Sequence, residues 1–261
     1  MKYIASCSGG KDSVATVILA HENKEPLDLI VFSEVMFDEN VSGELPEHID
    51  FVKDKLFPMF ERWGYKTKIL RSDKTYMDCF YHVVKRSSKK NRIGKYKGFV
   101  MSGRCDVQRD CKLRPIKNFY KNYPYEYRQY IGIAVDEEKR LKRLKENQIS
   151  LLEKYGLTEE MAKKKCEQYG LLSPIYSFST RGGCWFCPNM KEKELKRLRD
   201  NHPDLWKKLL TLEEEENTIG FVFDMFTGKS IHWYENKFKG MEKAKLKLYK
   251  YLRDYNLGVD K

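Results

Sequence analysis

Six consecutive residues, Ser8-Gly9-Gly10-Lys11-Asp12-Ser13, bring together two glycines, two hydroxyls, an ammonium and a carboxylate. They follow the apolar run Tyr3–Cys7 and precede Val14, Val17, Ile18 and Ala20, which share one helical face, so the order reads strand, glycine turn, helix. A helix opening straight from such a turn leaves its first amides without intrahelical partners and concentrates partial positive charge there. An anion is the natural occupant. Gly9 and Gly10 let the backbone approach a phosphate, Ser8 and Ser13 offer hydroxyls, Lys11 a mobile positive charge, and Asp12 a carboxylate for Mg2+ or for the helix end. The Walker pattern is absent here. Gly228-Lys229-Ser230 does not supply it either, because the glycine needed five residues earlier is Phe223, and that stretch reads as a turn.

The cysteines form the second group with chemical potential. Cys184 and Cys187 make a C-x-x-C inside Arg181-Gly182-Gly183-Cys184-Trp185-Phe186-Cys187-Pro188, and Cys105 and Cys111 lie in a basic stretch. Four converging thiolates suit a [4Fe-4S] cluster or Zn2+, and Arg104, Arg109, Lys112 and Arg181 would offset their charge. A thioredoxin-like redox pair is the rival reading, but that motif follows the first strand of its fold and this one comes late. Cys7, Cys79 and Cys166 read as buried core residues. His21, His48, His82, His202 and His232 share no spacing and read as surface or capping residues, Asp136-Glu137 as acids favouring a helix start, and Glu213–Glu216 as a solvated helix end.

The elements that must position these groups alternate along the first part of the chain. Strands are expected at Tyr3–Cys7, Leu27–Ser33, Lys66–Leu70, Gly98–Ser102 and Tyr130–Val135, with a helix carrying Ile49, Val52, Leu56, Phe60 and Trp63 on one face. Helices are expected over 138–155, 158–169 and 191–212, then a hairpin through Phe221–Phe226 and Ser230–Tyr234 and a last helix with Ala244, Leu248 and Tyr251. The fold class is α/β, a parallel doubly wound sheet over 1–180, followed by a smaller, mainly helical region over 181–261 that begins with the cysteine loop. At 261 residues and 41% hydrophobic content the chain can bury a core, which excludes a disordered or collagen-like protein. No apolar run approaches the roughly 20 residues of a membrane span, and Met1–Gly10 has no room for a leader, so a cytoplasmic protein without membrane contact is expected. The net charge is +12, and the segment 85–121 holds 13 Lys or Arg against two acids, which favours a nucleotide or a nucleic acid such as tRNA or DNA.

Ser8–Ser13 closely resembles the S-G-G-x-D-S signature of the PP-loop ATP pyrophosphatases, and its place after the first strand matches. With Gly43-Glu44-Leu45-Pro46-Glu47, Cys111-Lys112-Leu113-Arg114-Pro115-Ile116, Gly132–Glu137 followed by Arg140, and the late R-G-G-C-W-F-C-P, the order is similar to the phosphoadenosine phosphosulfate (PAPS) reductase family in its broad sense, over residues 1 to about 200. The resemblance implies an adenine nucleotide alpha hydrolase-like fold that binds ATP, splits it to AMP and pyrophosphate, and adenylates a substrate. It implies nucleotide contacts from Ser8, Gly9, Gly10, Lys11, Asp12, Ser13, Phe32 and Ser33, with Lys11, Asp12, Arg140 and Arg181 catalytic and Mg2+ near Asp12. Sulfur transfer through a cluster on Cys105, Cys111, Cys184 and Cys187 is a further implication. The reductases of the family carry a cysteine near the C-terminus, whereas the last one here is Cys187. A sulfonucleotide reductase is therefore the second expectation, and a zinc-stabilised nucleic-acid-binding module without catalysis the third.

Overall fold

The computed structural model describes residues 1–99, 105–180, 182–224 and 227–254, with side chains up to residue 247. The chain divides into two units, Met1–Asp78 with Arg104–Trp185, and Cys79–Gly103 with Phe186–Lys261. The expected single boundary at 180/181 is therefore replaced by an exchange of segments. The basic run is split by it, its described residues 85–99 belonging to the second unit and 105–121 to the first.

In chain order the strands are β1 (Lys2–Ser6), β2 (Leu29–Glu34), β3 (Lys66–Arg71), β4 (Tyr96–Gly98), β5 (Tyr127–Ile131), β6 (Gln148–Ile149) and β7 (Thr218–Gly220). The helices are α1 (Lys11–Glu22), α2 (Pro46–Asp50), α3 (Phe57–Arg62), α4 (Tyr76–Phe80), α5 (Arg114–Lys121), α6 (Glu138–Leu141), α7 (Leu151–Lys154), α8 (Glu159–Gln168), α9 (Glu192–Asn201), α10 (Pro203–Glu213) and α11 (Ile231–Asp254).

The first unit holds a parallel sheet of order β3-β2-β1-β5-β6. Parallel neighbours need crossovers, and the helices that make them cover both faces. On one face α1 contributes Val14 through Ala20, all buried, because it is enclosed by the sheet, α7 and α8. On the other, Ile4, Val31 and Leu70 pack against Ile116, Phe119, Tyr120 and Tyr123 of α5 and its exit. Two π-helical stretches, Phe51–Leu56 and Gln108–Leu113, run up to Pro58 and Pro115, where the missing amide hydrogen forbids a regular turn.

The second unit pairs β4 with β7 in parallel and packs α10 against α9 and α11. Arg199 Nε and Trp206 Nε1 both donate to Glu235 Oε2 at 2.7 Å, beside Lys239. Burial alone would raise the Glu235 pKa, but Arg199, Trp206 and Lys239 outweigh it and bring it down to about 2. A depressed carboxylate contributes stability that is full above its unfolded value of 4.5 and is lost as pH falls toward 2. Glu235→Gln is expected to cost on the order of 2–3 kcal/mol at pH 7 and almost nothing near pH 2, measured by chemical denaturation at both.

Several expected elements differ. The fifth strand starts three residues earlier, at Tyr127, and the long helix over 138–155 is two short helices flanking β6. Pro203 divides the helix over 191–212 into α9 and α10. Of the hairpin, the described residues keep one antiparallel bridge, Asp224 to Lys229, and Ile231 already begins α11. Among the described residues no helix is long and apolar enough to cross a membrane.

Candidate functional site

The chain runs from β1 outward to β2 and β3 on one side, then returns to β5 on the other, so strand order reverses between β1 and β5. Crevices at such a reversal, outside the carboxyl ends of the strands, are where open α/β sheets bind ligands. The loops after β1 and β5 meet there around a cavity of about 390 Å3. Ser8, Gly10, Lys11, Asp12 and Ser13 form one wall, with Gly132, Arg140 and Glu159 beside them and Glu44, His48 and Lys112 on another side.

The loop is folded on itself by Ser13, whose Oγ donates to the Gly10 carbonyl at 2.9 Å and accepts from the Ser8 amide at 3.1 Å. Gly9 sits at φ +74°, which glycine adopts without strain, and Gly10 caps α1 with no side-chain hydrogen bond. The first free amide, Lys11 N–H, donates to Tyr176 Oη at 2.9 Å. A phenolic oxygen thus stands where an anion's oxygen would. Tyr176→Phe is expected to tighten binding of inorganic pyrophosphate about three- to tenfold, since one competing hydrogen bond is worth roughly 1 kcal/mol; equal or weaker binding by calorimetry would refute the competition.

Lys11 Nζ lies 2.9 Å from both Asp12 oxygens and 3.1 Å from Glu159 Oε2. Burial works against this ammonium, yet the hydrogen bonds to Asp12 and Glu159 outweigh it and hold its pKa above the ordinary lysine value. Asp12 is pushed up by burial, with Glu159 and Glu137 adding to the shift and Lys11 opposing it. The site therefore holds a cation shared by two carboxylates. Beneath it, Cys166 Sγ donates to the Lys11 carbonyl at 3.2 Å and Cys7 Sγ faces Ser13 Oγ at 3.7 Å. Burial raises both thiols, Cys7 to about 11 and Cys166 to about 12, which keeps them protonated supports of the loop, in line with their expected place in the core.

Glu44 is 4% exposed, and its Oε1 has no hydrogen-bond partner among the described residues, with Lys112 Nζ at 4.0 Å as its ion-pair neighbour. The cysteine loop holds it in place. Glu44 bridges Cys184, the Trp185 amide donates to the Gly43 carbonyl, and Trp185 Nε1 donates to the Ser42 carbonyl at 2.8 Å, its ring buried against Phe37.

Other expected site residues fall elsewhere. Phe32 is 1% exposed and meets Phe57 edge-on, while Ser33 Oγ donates to the Lys112 carbonyl, so both side chains are interior because β2 is covered on both faces. Arg140 reaches the cavity and pairs with Glu137. Arg181 lies outside the described residues, although Thr180 and Gly182 line the cavity. Cys111 is buried with Sγ donating to the Thr75 carbonyl at 3.4 Å, and the Gln108 amide donates to Cys105 Sγ. Among the described residues no three His, Cys, Asp or Glu side chains gather as a metal-holding group. The expected ligand set is divided between the two units, with Cys105, Cys111 and Cys184 in the first and Cys187 in the second.

No protein-family model matches the sequence, and no curated protein matches it. Among solved structures, the chain is similar to a tRNA thiolase. This is the U34-tRNA thiolase NcsA from Methanococcus maripaludis with its [4Fe-4S] cluster, at 19% identity over 83% of this chain and 73% of that one, with a TM-score of 0.39.

His48, Glu44, Gly132 and Tyr176 were not singled out by the sequence pattern as functional. For His48 a signal existed: it lies one turn before Val52, on the apolar face of the same helical run.

Proposed function

We propose that the chain binds MgATP in the cavity after β1 and transfers AMP to an acceptor that enters beside Glu44 and Lys112. The carrying observation is the cavity itself, which joins the glycine loop, the start of α1 and Lys11 to a buried carboxylate whose Oε1 accepts no hydrogen bond from the described residues. Phosphate oxygens would take the loop amides and Lys11, in the manner that the resemblance to PP-loop enzymes implies. Asp12 and Glu159 are the oxygen donors suited to Mg2+, which would neutralise phosphate charge when bound.

The reaction follows from this layout. An acceptor oxygen attacks the α-phosphorus, the bond from that phosphorus to the bridging oxygen breaks, and pyrophosphate leaves with the electron pair. Glu44 Oε1 accepts the proton that the acceptor gives up, and Lys11 and Arg140 balance the charge that develops on the phosphates. No step is routed through a metal cluster. The test is conversion of MgATP to AMP and pyrophosphate, followed by phosphorus NMR, with calorimetry for binding; no heat at millimolar MgATP overturns the reading.

A nucleic acid is the acceptor class we favour. A groove of about 800 Å3 runs between β3 and α5, lined by Lys68, Arg71, Arg114, Asn118, Phe119 and Tyr123, with Lys68 Nζ 5.6 Å from the centre of the Phe119 ring. Cations beside aromatic faces suit phosphates and stacked bases. Replacing Lys68 and Arg114 by Ala is expected to weaken binding of single-stranded RNA about tenfold at low salt and to lower the salt slope by about 2.

A further inference from the structure

We infer that His48 is a positioning residue that aligns the glycine loop before any ligand arrives. The inference rests on the proposal that this loop is the nucleotide site. His48 is 3% exposed, its Nε2 lies 2.9 Å from the Ser8 carbonyl oxygen, and its Nδ1 lies 2.8 Å from Ser173 Oγ. A carbonyl only accepts, so Nε2 carries the proton, and the Ser173 hydroxyl completes the chain by donating to Nδ1. Ser173 is itself buried. One imidazole, fixed from behind, thereby fixes the loop in front.

The contact is close as well as polar. A Cβ on Gly9 would come within 2.8 Å of His48 Cε1 and 2.7 Å of Val52 Cγ2, so the ring lies directly against the loop backbone at the residue with φ +74°. Phe51 stacks on the ring, at 6.5 Å between centroids and 29° between planes. The same stretch that anchors His48 reaches the far end of the loop. Ser173 precedes the short turn Pro174–Ser177, and Tyr176 in that turn receives the Lys11 amide. The carbonyl of Ser8 and the amide of Lys11 are thus both tied to residues 173–176, one through His48 and one directly. The amides between them belong to Gly9 and Gly10, and of the two Gly10 lines the cavity where a phosphate would sit. Holding them in place in the absence of ligand lowers the ordering that binding must otherwise supply.

His48→Leu keeps bulk and removes both polar edges, whereas His48→Gln restores an N–H donor toward Ser8 and an acceptor toward Ser173. In the full chain we expect His48→Leu to weaken MgATP about tenfold by calorimetry and His48→Gln to stay within about threefold of wild type. Without nucleotide, hydrogen exchange at Gly9 and Gly10 should speed up about tenfold in His48→Leu and not in His48→Gln, while Val17–Ala20 in α1 are unchanged. A role in packing alone would leave affinity and loop exchange unmoved, or would loosen α1 equally, and either result overturns the inference. If wild type binds no MgATP, the nucleotide reading fails by itself and the exchange measurement still decides the role of His48. Should His48→Leu not fold, Ser173→Ala serves: loop exchange about threefold faster supports the inference, and unchanged exchange overturns it.

Discussion

Gly132→Ala is expected to abolish MgATP binding and to destabilise the first unit by several kcal/mol. A Cβ at 132 would lie 2.6 Å from Asp12 C and Ser13 N and 2.7 Å from Asp12 O, all backbone atoms of the loop and the first turn of α1. Backbone cannot rotate aside as a side chain can. Either the exit of β5 or the start of α1 must move, and α1 has no room because Val14 through Ala20 are buried. Overpacking of this kind costs about 1–3 kcal/mol where the neighbours can adjust, and more where they cannot. The displaced residues are Asp12 and Ser13, so even a shift of a few tenths of an ångström takes the phosphate-facing groups out of alignment. Thermal melting and calorimetry together check this; a variant with native melting and native affinity would show that the two loops do not touch as described.

Lys11→Met carries the second large effect. The substitution keeps length and apolar volume and deletes the charge shared between Asp12 and Glu159. Because those partners hold the Lys11 pKa above its usual value, the ammonium is fully charged at any physiological pH, and no pH adjustment mimics the variant. AMP formation should fall about 10²- to 10³-fold, the range for loss of one group that balances transition-state charge. MgATP affinity should fall less, about tenfold, since the loop amides remain. The check is the ratio of the two losses: equal losses would mean that Lys11 only binds, and no loss in rate would remove it from the reaction. Lys11→Arg is not expected to rescue, because a planar fork does not reproduce the single Nζ that meets both Asp12 oxygens at 2.9 Å and Glu159 Oε2 at 3.1 Å.

The loop could be read in the sequence because its chemistry is contiguous. Ser8 to Ser13 carry their own turn, and the buried run before them and apolar face after them fix strand and helix without reference to the rest of the chain. The same holds for β2 and for α8, whose Thr158 caps it by accepting from Met161 N–H as its position suggests. Residues that act by approaching from elsewhere were hidden. Gly132 matters only because α1 passes over it, Tyr176 only because its turn reaches Lys11, and Glu44 only because Trp185 secures residues 42–44 from far along the chain. The C-x-x-C spacing was visible, but Trp185 between the two cysteines is the part with a described structural task. The strand β6, two residues long, gave no period to read, and the charged stretch around it imitated one continuous helix.

One rim of the large sheet ends at β3, whose outer backbone groups pair with no other strand among the described residues. Lys66, Lys68 and Arg71 stand exposed along it. Two such rims brought together would set ammonium and guanidinium groups against their like, which opposes annealing of copies into a continuous ribbon. The chain can leave this border without a strand partner and still not invite fibrous self-association.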